Sequence, residues 1–108
     1  MKAKGSQFER DVARYLQGHG FPFAERAYGA GRQDDRGDID GLPGVVLEVK
    51  CCRKLELSEW SKEAETERVN AEAAFGVVVH KRWGKQTSDS YCTLPLWQLA
   101  NLLVEAGY

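Results

Sequence analysis

The chain has 108 residues, 43% of them apolar, enough to bury one modest core and too few for two separate functions, so positions 1–108 read as a single domain. Fifteen Lys and Arg against sixteen Asp and Glu give a formal charge of -1, which excludes the strongly basic balance of a general nucleic-acid coat protein and leaves DNA contact to local clusters. Three cysteines without a C-x-x-C pair exclude a disulfide framework and a four-ligand zinc site; with a charged amino terminus and no membrane-length apolar window, a soluble, cytoplasmic protein is expected.

In chain order, Phe8, Val12, Tyr15 and Leu16 recur at helical spacing and predict a helix from Ser6, as N-cap, to about Gly18. Phe21 to Tyr28, short and aromatic, predicts a strand, and the glycine- and charge-rich run from Gly29 to Gly37 predicts a loop. Asp38 to Cys51 spells DIDGLPGVVLEVKC, two strand segments around Gly41-Leu42-Pro43-Gly44, hence a β-hairpin. A helix follows from Ser58, again as cap, to Ala74, with Trp60, Ala64, Ala71 and Ala74 along one side. Phe75 to His80 is a continuous apolar run typical of a buried strand, and a basic turn, Lys81 to Lys85, leads to a strand over Ser90 to Leu94. Pro95 to Ala106 closes the chain as a helix with Leu96, Leu99 and Leu103 at core spacing, and Trp60 and Trp97 read as core. The order is αβββαββα, an α/β class.

The chemistry sits in the hairpin. Side chains alternate along a strand, so Glu48 and Lys50 share one face while Val49 enters the core, and the hairpin brings Asp38 across from them. Two converging carboxylates suit a hard divalent cation such as Mg2+, which prefers oxygen ligands and retains waters. A lysine beside it can polarise the attacking water and offset charge developing on a scissile phosphate, so hydrolysis of a phosphodiester is the reaction that fits. An acid and a base two apart on a strand are more often a plain surface ion pair worth under about 1 kcal/mol. Asp38 at hairpin spacing, the apolar strand running into Glu48 and the helix directly after it favour the functional reading.

Gly37-Asp38-Ile39 followed by Val45-Val46-Leu47-Glu48-Val49-Lys50 resembles the signature of the PD-(D/E)XK nucleases, and nearly all of the chain resembles the small Holliday junction resolvases of archaea and phages. Gly37 stands where the motif has proline. The resemblance implies a restriction-endonuclease-like core, a mixed central β-sheet flanked by helices. It implies Mg2+, with Mn2+ as a substitute, bound by Asp38, Glu48 and the Val49 carbonyl, and Lys50 as the base or water-orienting group. It also implies an acidic residue on the first helix, matched by Glu9, which otherwise is an ordinary solvated glutamate. Asp40, two residues after Asp38 and on the same side of a regular strand, is the remaining candidate for an auxiliary ligand, with Asp38 preferred because it begins the motif after glycine. The expected activity is paired nicking of a four-way DNA junction by a homodimer, since two opposed cuts need two sites about a two-fold axis. The alternatives are another nuclease of the class acting on duplex, flap or restriction-type DNA, or a non-catalytic DNA-binding module with the same fold.

Basic side chains flank the motif. Arg26, Arg32 and Arg36 precede it, Arg53 and Lys54 follow it, and Lys81, Arg82 and Lys85 form a second group with Trp83 available to stack or wedge. Such runs are often plain solvated surface; the metal site beside them favours phosphate contact. For the dimer contact, Leu102, Val104 and Tyr108 or exposed residues of the first helix are the candidates.

Overall fold

A computed structural model describes residues 2–27 and 36–108. The elements are α1 (Lys2–Gln17), β1 (Glu25–Arg26), β2 (Ile39–Asp40), β3 (Val45–Lys50), α2 (Leu57–Asn70), β4 (Phe75–His80), β5 (Tyr91–Thr93) and α3 (Leu96–Glu105), with one 3-10 turn at Thr87–Asp89. The expected element order is therefore present, in a mixed α/β arrangement.

The central sheet runs β3-β4-β5, with β3 and β4 parallel and β5 antiparallel to β4. Alternation divides β3 cleanly. Leu47 and Val49 join Phe8, Val12 and Ala13 of α1, Ala24, Ile39 and Val79 in one buried cluster, whereas Trp60 and Ala64 of α2 pack with Val78 in another. Glu48 is paired with Val78, and Lys50 with His80, so both motif side chains share the sheet face that α2 covers. Gly76 permits this close seat: a Cβ there would lie 2.7 Å from the Ala64 carbonyl oxygen and 3.0 Å from Arg68 Cβ.

Several boundaries differ from expectation for identifiable reasons. The first helix begins at Lys2, so Ser6 lies inside it, where its hydroxyl accepts a hydrogen bond from Arg26 instead of capping the end. The aromatic segment forms a strand only at Glu25–Arg26; Phe21 and Phe23 are exposed, and Tyr28 lies outside the described residues. The second helix starts at Leu57 with Glu56 at its cap, so Ser58 is already in the first turn, and it ends at Asn70.

The expected hairpin folds back without a ladder between β2 and β3 among the described residues. Instead β2 pairs antiparallel with β1. The Asp38 N–H donates to the Leu47 carbonyl at 2.8 Å, but the next donor on that edge of β3, the Val49 N–H, goes to the Asp38 carboxylate at 2.7 Å. A side chain has taken the place of a strand partner.

In α3 the core expectation fails. Leu96, Trp97, Leu99 and Leu103 are all exposed, and the buried member is Gln98, whose side-chain oxygen accepts the Gly76 N–H at 2.8 Å. β5 pairs with β4 only from Val78 onward, so Gln98 satisfies a donor that the short edge strand does not reach.

Candidate active site

Asp38, Glu48 and Lys50 are brought together. Gly37 adopts φ +98°, and a Cβ there would fall 2.8 Å from Val46 Cγ1 and 3.0 Å from the Leu47 carbonyl oxygen. Proline, fixed near φ -65°, has no access to that conformation, so glycine at this motif position is what lets the chain lie against β3. Asp38 is then pinned to β3 through Val49 N–H, and because N–H and C=O of one strand residue project to the same edge, the Val49 carbonyl faces the Asp38 side too.

Glu48 is buried, 5% exposed, and the carboxyl groups of Asp38 and Glu67 lie beside its own. Burial pushes Glu48 up to about 8, and the neighbouring Glu67 acts the same way, while Asp38 and the Lys50 ammonium pull it down. Lys50 reaches both oxygens of Glu63, at 3.2 and 3.1 Å. Its burial favours the neutral amine, but the Glu63 hydrogen bond and the charges of Glu48, Glu63 and Asp38 outweigh that and hold the ammonium above its ordinary range. His80, next to Lys50 across the sheet, bonds Thr93 Oγ1 at 2.8 Å through Nε2, and burial lowers its pKa, so it stays a neutral packing residue against Trp60.

The donor set fits a hard divalent cation. The carboxyl groups of Asp38 and Glu48 lie beside each other, and every available group is oxygen. Among the described residues no three His, Cys, Asp or Glu side chains surround one point, so a cation would draw on Asp38, Glu48, backbone oxygen and water. Comparison of the chain with protein-family models, with curated proteins and with solved structures finds no match.

The remaining sequence candidates fall in different places. Glu9 is engaged by Arg26, whose Nε lies 2.6 Å from Glu9 Oε1 and whose Nη2 lies 3.0 Å from Ser6 Oγ. Asp40 and Arg36 line a cavity of about 210 Å³ at the start of β3 with Gly44 and Ala73. Because β3 and β4 are parallel, the segments that follow them emerge at the same end of the sheet, and the Lys81 N–H donates to the Lys50 carbonyl at 3.0 Å. There Trp83 is half-buried between the Arg53 guanidinium, 4.2 Å from its ring centre, and the Lys81 ammonium, 4.6 Å away. Arg82 stacks on Tyr91 at 4.4 Å, and Lys54 and Lys85 are exposed nearby in sequence. Arg32 lies outside the described residues.

Sequence reading missed Glu63 and Glu67. Both are four apart on α2, and Glu67 falls at i, i+4, i+7 from Trp60 and Ala64, a core slot occupied by an acid. That misplaced carboxyl was the available signal.

Proposed function

We propose that the chain is a Mg2+-dependent DNA endonuclease with a restriction-endonuclease-like core of the PD-(D/E)XK class, and that it resolves four-way junctions by paired nicks. The observation that carries this reading is the Asp38 carboxylate seated on the Val49 N–H, beside the Glu48 carboxyl and the Lys50 ammonium.

Asp38, Glu48 and the Val49 carbonyl would hold the ion, which when bound supplies Lewis-acid stabilisation of the phosphate and an acidified water. Lys50, charged and oriented by Glu63, would offset the negative charge that grows on the phosphate. Arg53, Lys81, Arg82 and Lys85 at the adjoining end of the sheet, with Lys54, would grip flanking phosphates, and Trp83 offers a ring for an open base step. Support for a homodimer comes from α3 and the residues after it, where Leu102 and Val104 of the helix and Tyr108 beyond it are 43%, 72% and 91% exposed, an apolar stretch of the kind that marks a contact surface.

The experiment is a cleavage panel of four-way junction, flap, duplex and single strand in magnesium, in calcium and in chelator. Junction-selective nicking in magnesium, binding without turnover in calcium and no cutting in chelator are expected. Equal cutting of duplex and junction would reject the resolvase reading and leave the nuclease.

A further inference from the structure

Lys50 pairs with His80 on β4, and His80 pairs with Tyr91 on β5, so the three side chains form a row on one sheet face, with Tyr91 at the outer edge. Two strand spacings put the Tyr91 backbone about 10 Å from that of Lys50. Tyr91 is 55% exposed, yet its ring is firmly seated. The His80 ring meets it edge-on with centres 6.1 Å apart, and His80 is itself fixed by Thr93 Oγ1 at 2.8 Å and by the Trp60 ring. The Arg82 guanidinium lies 4.4 Å from the Tyr91 ring centre. An exposed ring carrying a guanidinium plane is a surface on which a nucleobase stacks, because every base has a π-face. The Trp83 ring already carries two cations, Arg53 and Lys81, and has less room for a base.

We infer that Tyr91 and Arg82 form a stacking platform for one unpaired base of a branched or single-stranded DNA, and that this contact separates such substrates from linear duplex. This rests on the DNA-binding reading above. Inside a duplex both faces of a base are covered by its neighbours, so only a base that has left the stack, as at a branch point, can join the platform. Arg82 contributes its plane here in addition to its charge.

The test is fluorescence anisotropy in chelator with three labelled probes: an oligothymidine strand, an abasic strand of the same length, and a linear duplex. Wild type is compared with Tyr91→Ala, Tyr91→Phe and Arg82→Ala, each checked by thermal unfolding. Wild type is expected to bind oligothymidine roughly 5- to 100-fold more tightly than the abasic strand. Tyr91→Ala removes that difference by weakening oligothymidine alone, with duplex affinity kept within about twofold, since no base stacks there. Tyr91→Phe, which keeps the ring, binds all three probes as wild type. Arg82→Ala weakens oligothymidine and duplex together, losing a charge as well as a plane. Should the alanine variant unfold, Tyr91→Thr, suited to an edge strand, carries the same expectation. Oligothymidine affinity unchanged in Tyr91→Ala or in Arg82→Ala overturns the inference. So does an equal loss of duplex and single strand in Tyr91→Ala, which gives Tyr91 a purely structural role, or an equal loss in Tyr91→Phe, which makes the hydroxyl the contact. If wild type binds none of the probes, the DNA-binding reading fails and the inference with it; wild type that binds them all, with Tyr91 variants that bind as well, overturns the inference alone.

Discussion

Lys50 and Glu63 are joined across the helix–strand interface by both carboxylate oxygens, at 3.2 and 3.1 Å, so α2 holds the ammonium of the motif. Glu63 is half exposed, and such a pair contributes little to folding, under about 1 kcal/mol. Its removal should act on rate instead. Glu63→Gln is expected to keep the wild-type melting temperature and DNA affinity in calcium while cleavage slows by roughly 3- to 10-fold as Lys50 loses its fixed position. Single-turnover kinetics with melting curves checks this, and an unchanged cleavage rate would show that Lys50 needs no such support.

Glu48 gives a pH signature in the metal-free protein. Its folded value of about 8 lies above the ordinary 4.5, so between those values the folded chain keeps a proton that the unfolded chain has released. Stability is therefore full below the lower value and declines as pH rises toward the upper one, at up to about 1.4 kcal/mol per pH unit. Melting in chelator from about pH 5 to about pH 9 should show this decline, and Glu48→Gln should flatten it. An identical slope in the variant would mean that another group is responsible.

How much of this was legible beforehand depends on which forces leave a local trace. The β3 pattern gave Glu48 and Lys50 on one face and Val49 in the core, because alternation is a property of the strand itself. The continuous run Phe75 to His80 signalled a buried strand, but only the tertiary fold makes it parallel to β3 and so gathers Arg53 and Lys81 around Trp83. Apolar spacing in α3 suggested a core face, yet periodicity says that a face exists and not that anything covers it; the position that is buried belongs to Gln98, which answers an unmet donor on β4. Glu67 was hidden because a motif names the residues nearest the chemistry and not those behind them.

Gly76 should tolerate nothing larger. Gly76→Ala sets a methyl group against the Ala64 carbonyl and Arg68 Cβ, both on the α2 side, and is expected to destabilise by about 1–3 kcal/mol as the helix is pushed off the sheet. Denaturant unfolding measures it. A variant as stable as wild type would mean that α2 has room to shift.

The stack at Trp83 predicts a salt signature. Arg53→Ala and Lys81→Ala should each weaken every DNA substrate alike and reduce the slope of log affinity against log salt by about 1. Trp83→Ala, which removes the ring both cations rest on, should weaken binding as well. Fluorescence anisotropy in calcium at several salt concentrations reads this directly, and unchanged slopes would place the DNA elsewhere.

For assembly, Leu102 is 43% exposed, so Leu102→Glu should leave the fold intact and convert a dimer to monomer in sedimentation velocity. Persistence of the dimer would move the contact away from α3, toward the exposed side of α1.

The most direct measurement maps the products of a synthetic four-way junction incubated with wild type and with Asp38→Ala in magnesium. The Asp38 carboxylate anchors the proposed site to β3 by accepting the Val49 N–H at 2.7 Å. The account predicts symmetric paired nicks from wild type and none from the variant. Nicking that survives in Asp38→Ala, or an intact junction with wild type under the same conditions, would contradict it.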